Sequence, residues 1–442
     1  MHKNEFKIDE SLVQKLLADQ FPQWGSLPLA RVISSGTDNA LFRLGEDKVV
    51  RLPRIDWAVG NIAIECEWLP KIAPKLPCAV PQPLALGTPT NAYPYPWAVY
   101  GWLEGNSPEV GFVSKALLDD LISFIRALHR IDLPEGPACP RGVSLKKVDE
   151  KTRGAIWELE GMIDTKAVLA LWERALEAPE WSGPPSWMHG DLSAGNLLTR
   201  EGRLSAVIDF GNLGVGDPAC DLNLAWNLLP ASLRGAFRAG MGYDEATWER
   251  ARGRALSNAL IALPYYKETN PFLANNSRHV IDELIRDYEM YFAPVKASQL
   301  TLLHSWFQKP HIKEWMHGEG LQNTLKGLEK LPEDTYWICY ERETPFAFLI
   351  TSPEGDDAIT LDLFIGDTNY LGRGLAVPMI HKFLLDLFPN KKRVFIDPEA
   401  TNKRAIHVYE KAGFKFLHEF IAPWHPVPHH QMVLETCLLV SE

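Results

Sequence analysis

The chain has 442 residues, of which 46% are hydrophobic and 23% are charged, as is typical of globular proteins. Because a single hydrophobic core rarely supports a chain of this length, we expect at least two domains. The formal net charge of −11 argues against nonspecific binding to nucleic acid or to acidic membranes, which both need a basic surface. An acidic surface suits a cationic small molecule.

The six cysteines are scattered and include no C-x-x-C pair, which is typical of reduced thiols in a cytoplasmic protein. The first residues carry frequent charges, so we expect no signal peptide. No apolar run approaches the roughly 18 residues that a membrane-spanning helix needs. These features together predict a cytoplasmic protein with no membrane partner.

The first part of the chain shows strand patterns followed mostly by helix patterns, which predicts a small β-rich lobe before a larger helical lobe. The predicted elements are a helix at Asp9–Leu17 capped by Asp9 or Ser11, a hairpin of ALFRLG and KVVRLP, a helix at Ile62–Ile72, a strand in WAVYGWLEG, a helix at Leu117–His129 and a short hairpin around VIDF at Val207–Phe210.

Beyond about Tyr288, strands alternate with helices again, which indicates a compact α/β domain. The predicted elements are a strand in MYFAPV, a helix at Leu300–Phe307, a hairpin in TYWICYERETPFAFLI, a strand in AITLDLFIG, a helix after Arg373, a strand in RVFID, a helix at Arg404–Ala412 and strands in FKFLHEF and QMVLE.

The stretch HGDLSAGNLL places Asp191 and Asn196 five residues apart, and VIDFG places Asp209 at the end of an apolar segment. Phosphoryl transfer from a nucleotide needs an acceptor for the proton of the attacking hydroxyl and oxygen ligands for Mg²⁺. The spacing H-G-D-x-x-x-x-N followed by I-D-F-G matches the kinase pattern of catalytic Asp, loop Asn and metal-binding Asp. The two fragments together, in a chain with a β-rich and then a helical part, predict a phosphotransferase site.

Residues 20–287 resemble the aminoglycoside phosphotransferase family, a branch of the kinase-like fold, most densely in HGDLSAGNLL and VIDFGNLGVGDPACDLNLAW. The resemblance implies that Asp191 is the catalytic base, that Asn196 and Asp209 hold Mg²⁺, and that His189 braces the loop. ATP or GTP is the implied cosubstrate. Two acids, Asp217 and Asp221, follow the motif. One of them is expected to buttress the loop, and Asp217 is expected to face the substrate.

The same resemblance assigns the nucleotide site, with some departures from the pattern. SSGTDNALFRLG is the implied nucleotide-covering loop, although it has a single glycine, Gly36, and WAVYGWLEG is the implied hinge. Arg51 stands where a phosphate-pairing lysine is usual, and its guanidinium would bind phosphate in a forked geometry. Glu65 is the expected partner of Arg51, with Glu67 as the alternative. Asn212 stands at a substrate-binding position where family members often have an acid.

YLGRGLAVPMI, at residues 370–380, follows a strand and opens a helix, so its glycines leave backbone amides bare at a helix N-terminus. Together with TNKRAIHVYEKAGF, at residues 401–414, it resembles the GNAT acetyltransferases, and most closely the aminoglycoside 6′-N-acetyltransferases, over about residues 289–435. The resemblance implies an acetyl-CoA site formed by Leu371, Gly372, Arg373, Gly374, Leu375, Ala376 and Asn402, with Arg404 beside it.

Two residues carry the implied acetyl-transfer chemistry. Asp362 stands where these enzymes have an acid near the substrate amine, which must lose a proton before it attacks a thioester. Tyr409 matches the tyrosine that protonates the departing CoA thiolate; a core tyrosine is the alternative. SWFQKPHIKEWM resembles an aromatic entry segment, in which Trp306 and Trp315 are substrate contacts or core residues.

The sequence therefore predicts an α+β chain with a two-lobed protein-kinase-like domain at 1–287, built of a small β-rich N-lobe and a large helical C-lobe, followed by a GNAT acyl-CoA N-acyltransferase α/β domain at 288–442. The predicted function is a bifunctional enzyme that modifies polycationic aminoglycosides and confers antibiotic resistance. A kinase of another small molecule, such as a macrolide or choline-like alcohol, fused to an acyltransferase of siderophore type, is the alternative.

Overall fold

The computed structural model describes residues 5–32, 38–133, 135–332, 334–422 and 425–440. The chain forms two compact units, one of residues 1–231 and 240–284 and one of residues 232–239 and 285–442. None of the described helices is long and apolar enough to cross a membrane.

The first unit begins with a five-stranded antiparallel sheet in the order β1-β2-β3-β5-β4. Its elements are α1 (Glu10–Gln20), β1 (Leu29–Arg31), β2 (Asn39–Leu44), β3 (Lys48–Pro53), α2 (Val59–Ile72), β4 (Pro83–Gly87) and β5 (Trp97–Gly101). Alternate residues of β2, namely Ala40, Phe42 and Leu44, are buried in one core with Leu16 and Leu17 of α1. Asp9 caps α1 by accepting a hydrogen bond from Leu12 N at 2.9 Å, as predicted.

Helices dominate the rest of this unit, with two short strand pairs among them. The elements are α3 (Lys115–His129), α4 (Asp149–Glu158), α5 (Thr165–Glu177), β6 (Ser186–Met188), β7 (Leu197–Arg200), β8 (Arg203–Val207), β9 (Gly214–Gly216), α6 (Leu224–Asn227), α7 (Ala231–Met241), α8 (Glu245–Tyr266) and α9 (Pro271–Glu289). β6 pairs with β9, and β7 pairs with β8. The β-rich part followed by a helical part is confirmed.

The second unit is built on a seven-stranded sheet in the order β10-β11-β12-β13-β14-β16-β15, antiparallel except between β13 and β14. Its elements are β10 (Tyr291–Pro294), α10 (Leu300–Phe307), α11 (Pro310–Lys313), α12 (Gly318–Leu328), β11 (Tyr336–Glu341), β12 (Thr344–Pro353), β13 (Ala358–Ile365), α13 (Ala376–Leu387), β14 (Arg393–Ile396), α14 (Lys403–Lys411), β15 (Lys415–Ala422) and β16 (His425–Glu435).

Each face of this sheet buries its own core. Trp337 and Cys339 of β11 pack with α13 and α14, whereas Tyr336 and Ile338 pack with Trp306 and the other apolar residues of α10 and α12. This alternation along β11 follows from the two-residue repeat of a strand and fixes which side chains belong to which layer.

Several predicted boundaries were wrong. The hairpin expected around VIDF is the β7–β8 pair, and β8 ends at Val207, so Asp209 is not on a strand. Asp209 instead has φ +60°, a left-handed conformation that Asp tolerates better than most residues and that ends the strand pairing. The strands β1 and β4 were not predicted, because they are short and lack clear alternation. The helix α12 was missed because its sequence contains three glycines.

Candidate active sites

The strand β6 leads directly into a loop in which His189 and Gly190 are buried and Asp191 is partly exposed. The fully buried carboxylate of Asp221 accepts hydrogen bonds from the amides of His189 and Gly190, both at 2.9 Å, so Asp221 is the buttressing acid. Gly190 has φ +80°, and a Cβ there would lie 2.7 Å from the Asn212 carbonyl oxygen. Only glycine fits at this position.

His189 braces the loop, as predicted. Its Nε2 donates to the Ile208 carbonyl at 3.0 Å, while its Nδ1 accepts from Asp191 N at 3.1 Å. Asn196 Nδ2 donates to the Asp191 carbonyl at 2.8 Å, and the β7–β8 pairing brings Ile208 N within 2.9 Å of the Asn196 carbonyl. The β7–β8 hairpin therefore places Asn196, which precedes it, beside the segment that follows it and carries Asp209.

Arg51 forms ion pairs with two acids of the predicted nucleotide site. Its Nη1 lies 2.7 Å from Glu65 Oε1, its Nη2 lies 2.5 Å from Asp209 Oδ1, and Tyr100 donates to Glu65 Oε2 at 2.6 Å. Glu67 instead pairs with Lys71 at 3.1 Å on the exposed side of α2. The expected pair of Arg51 with Glu65 is thus present.

Burial and ion pairing act in opposite directions on these groups. Burial raises the pKa of Glu65, and the charge of Arg51 only partly offsets that effect. Burial would also raise the pKa of Asp209, but the charge and hydrogen bond of Arg51 lower it below its ordinary value. Asp209 is therefore ionised at neutral pH and can act as an anionic oxygen ligand. Gly36 and the loop around it lie outside the described residues.

Two carboxylates of the second unit lie close together where the parallel strands β13 and β14 separate. β13 and β14 pair only from Ala358 with Arg393 to Thr360 with Phe395; Asp362 lies further along β13, and Asp397 directly follows β14. The residue Asp362 is exposed to solvent, but many protein atoms lie around its carboxylate and reduce the hydration of its charge. Burial, followed by the charge of Asp397, raises the pKa of Asp362 to about 7. Burial raises the pKa of Asp397 to about 6.

Tyr409 of α14 belongs to the same group. Its side chain is buried, and burial together with the charges of Asp362 and Asp397 raises its pKa above the ordinary value. Tyr409 therefore stays protonated at neutral pH, as a proton donor must. Tyr409 also contributes to the apolar core and packs 5.9 Å from Phe414, so the site and the core share this residue.

The predicted acetyl-CoA loop contains two glycines in left-handed conformations. Gly372 and Gly374 have φ +77° and +75°, and no atom lies within 4 Å of where a Cβ would stand at either position. Leu375 and Ala376 follow at the start of α13, where Leu375 provides no side-chain cap. The two glycines thus leave open space next to the start of α13.

Comparison with known proteins identifies a family for each part of the chain. The phosphotransferase enzyme family matches residues 30–256, and a GNAT acetyltransferase domain matches residues 296–421. The chain belongs to the phosphotransferase enzyme family and carries a GNAT acetyltransferase domain. With these two transferase domains, the protein is a bifunctional enzyme.

Three similar proteins illustrate the match to this bifunctional enzyme. An aminoglycoside 3′-phosphotransferase of Escherichia coli is 26% identical over 216 residues, covering 44% of this chain and 70% of that protein. The solved aminoglycoside N(6′)-acetyltransferase of Legionella pneumophila is 49% identical, covering 34% of this chain and 94% of that chain, with a TM-score of 0.33. The GDP complex of an aminoglycoside 2′-phosphotransferase, at 16% identity, covers 63% of this chain and 99% of that chain with a TM-score of 0.50, which shows the fold.

The structure of the bifunctional enzyme also adds residues that the sequence did not single out. Arg141 Nη1 contacts Asp191 Oδ1, and the nearby carboxylate raises the pKa of Arg141. Fifty residues separate the two, and no local pattern connects them. Asp397 was also missed as a site residue, although it is the last residue of the predicted strand RVFID.

Three predicted contact residues have other partners. Asp217 lies in a cavity wall, but its carboxylate pairs with the buried Arg250 at 2.7 and 3.3 Å. Arg373 pairs with Glu341 at 3.1 Å and lies 4.7 Å over the Tyr370 ring. Asn402 caps α14 by accepting from Ala405 N at 3.0 Å. Asn212 lies against Gly190 through its backbone, close to the catalytic loop.

Proposed function

We propose that the protein modifies aminoglycoside antibiotics by two reactions and thereby confers resistance in the cytoplasm. One is Mg²⁺-dependent phosphoryl transfer from ATP or GTP to a hydroxyl. The other is acetyl transfer from acetyl-CoA to an amine, the 6′-amino group. The observation that carries this proposal is that the relatives of both transferase domains, identified independently, are aminoglycoside-modifying enzymes. The net charge of −11 suits a polycationic substrate.

In the phosphoryl transfer, Asp191 accepts the proton of the attacking hydroxyl through its carboxylate. His189 accepts a hydrogen bond from the Asp191 amide, and Asp221 accepts from the two amides that precede it. Asn196 and Asp209 would hold Mg²⁺, since both offer the hard oxygen ligands that this ion prefers and β7–β8 brings them together. The ion would neutralise charge on the phosphates. Arg51 positions Asp209 and anchors it to Glu65.

In the acetyl transfer, Asp362 accepts a proton from the substrate ammonium, and the free amine then attacks the thioester carbonyl. The C–S bond breaks as the phenol of Tyr409 donates its proton to the departing thiolate, and the second proton of the attacking nitrogen returns to the Tyr409 oxygen to leave the neutral amide. A carboxyl with a pKa of about 7 is well suited to exchange protons near neutral pH. The amides at the start of α13 would bind the pyrophosphate of acetyl-CoA.

The proposal is tested by incubating the purified enzyme with a panel of aminoglycosides, with Mg²⁺ and ATP or GTP or with acetyl-CoA, and reading the mass of each product. We expect both a phosphorylated and an acetylated product. Asp191→Ala is expected to lose phosphorylation by about 100-fold or more and to keep acetylation. An enzyme that modifies no aminoglycoside with either cosubstrate would contradict the proposal.

One observation favours a second acceptor class for the phosphotransferase. Arg141, Arg250 and Arg254 surround a small cavity beside the catalytic loop, and their ion pairs within the described chain involve only Asp191 and Asp217. The cavity, of about 10 Å³, holds no more than a water molecule, but the positive charge of the three arginines beside the catalytic loop favours an acceptor with fewer positive charges, such as a macrolide. The same mass measurement with macrolides and choline-like alcohols separates the two classes.

A further inference from the structure

A cavity of about 320 Å³ lies in the first unit beside the segment that leads into β6. Its walls include Gly142, Ser144, Lys146, Glu180, Trp181 and Asp217. Gly142 directly follows Arg141, which contacts the catalytic Asp191, so the cavity is adjacent to the catalytic loop. Its volume is in the range of pockets that bind small organic molecules.

Two carboxylates, Asp217 and Glu180, line the cavity, and they differ in whether a ligand can replace the cation that each one pairs with. Asp217 pairs with Arg250, and both side chains are nearly buried, with exposed fractions of 16% and 7%. Asp217 also caps a turn of helix through Ala219 N at 3.1 Å. A ligand that replaced Arg250 would leave the buried charge of Arg250 unpaired, so Asp217 has a structural role and does not exchange its partner.

Glu180 has an exposed and replaceable partner. It lies 3.3 Å from Lys146 Nζ, and the exposed fractions of the two side chains are 55% and 67%. Ser144 donates to Glu180 at 2.9 Å, and together Ser144 and Lys146 lower the pKa of Glu180, so it is ionised at neutral pH. An exposed lysine leaves such a pair at little cost because water solvates it.

Trp181 provides a fixed apolar surface next to this carboxylate. It is half-buried, its Nε1 donates to the Pro184 carbonyl at 3.0 Å, and its ring packs edge-on against Tyr243 at 6.3 Å. A carboxylate beside an immobilised indole matches a ring that carries both an apolar face and an ammonium group.

We infer that Glu180 binds an ammonium group of the phosphate acceptor in place of Lys146, while a ring of the acceptor packs on Trp181. The inference rests on the proposed phosphorylation of aminoglycosides and assigns the residues that determine affinity for them. Lys146 then acts as a built-in counter-ion that the substrate displaces. Removal of the Glu180 charge should therefore weaken binding of the acceptor, whereas removal of the Lys146 charge should strengthen it.

The experiment measures KM and kcat for phosphorylation of an aminoglycoside such as kanamycin by variants of the full chain. Glu180→Gln is expected to raise KM for the aminoglycoside about three- to tenfold, and Lys146→Gln to lower it about two- to threefold, each with kcat nearly unchanged. Glu177→Gln and Lys151→Gln are matched controls, because neither residue lines the cavity or is among the groups that lower the pKa of Glu180. Both are expected to leave KM unchanged.

An unchanged calorimetric transition of the first unit, which contains the cavity, shows that each variant is folded. Unchanged KM values for Glu180→Gln and Lys146→Gln, or shifts in the same direction, overturn the assignment of this cavity while leaving aminoglycoside phosphorylation intact. If the unaltered enzyme phosphorylates no aminoglycoside, the proposed function fails, and this inference fails with it.

Discussion

Replacement of Asp221 by asparagine tests how the catalytic loop is held. Asp221 is completely buried, accepts hydrogen bonds from the amides of His189 and Gly190 at 2.9 Å each, and lies 3.3 Å from His129 Nε2. Asparagine keeps one acceptor oxygen, but its NH₂ group would face a backbone N–H that loses its partner. Since a hydrogen bond to a charged group contributes about 1.5–3 kcal/mol, and an unpaired buried donor adds a similar penalty, we expect a loss of about 2–4 kcal/mol.

The pH dependence of this loss has a defined sign. Burial would raise the pKa of Asp221, but the hydrogen bond and charge of His129 lower it below the ordinary value. A carboxyl whose pKa is lowered by folding stabilises the protein above its unfolded pKa, and this contribution is lost as the pH falls through the folded pKa. The difference between Asp221→Asn and the unaltered enzyme should therefore be largest at neutral pH and shrink in acid.

Calorimetry of the full chain is expected to show the transition of the first unit lowered by roughly 5–15 °C. Phosphorylation should fall by about 100-fold because the loop carrying Asp191 shifts, while acetylation stays unchanged. Ser257→Ala is the matched control, since it removes a buried hydrogen bond to Thr152 at 2.7 Å in the same unit, away from the catalytic loop. If Asp221→Asn lost stability and kept normal phosphorylation, Asp221 would have no part in positioning Asp191.

Three further outcomes are expected. Gly374→Val should raise KM for acetyl-CoA about tenfold or more, because valine resists φ +75° and would cover the amides of α13; equal binding by calorimetry would refute the loop assignment. Acetyl transfer should decline as the pH falls through about 7, where Asp362 becomes protonated, and Asp362→Asn should be slow with a flat profile over that range; an unchanged profile would assign the base elsewhere. A fragment of residues 288–442 should have a lower melting temperature than the second unit has in the full chain, since the fragment lacks residues 232–239 of that unit. Equal melting temperatures would show that those residues add no stability.

The sequence alone determined the features that depend on local spacing. His189, Asp191 and Asn196 are close in the chain, so their residue types and intervals specify one loop wherever that loop lies. Gly372 and Gly374 likewise specify a local backbone conformation that few other residues adopt. For the same reason the helices at Leu117–His129 and Leu300–Phe307 were predicted almost to the residue, since the apolar repeat of a helix is itself local.

Only the tertiary structure decided which distant residues meet. Arg141 contacts Asp191 across fifty residues, and burial together with the charge of Asp397 raises the pKa of Asp362 where the parallel strands β13 and β14 separate. The choice of Glu65 over Glu67 as the partner of Arg51 also depended on which face of α2 is buried. A contact between distant segments depends on packing and strand register, and those are set by the whole core and not by the intervals within one motif.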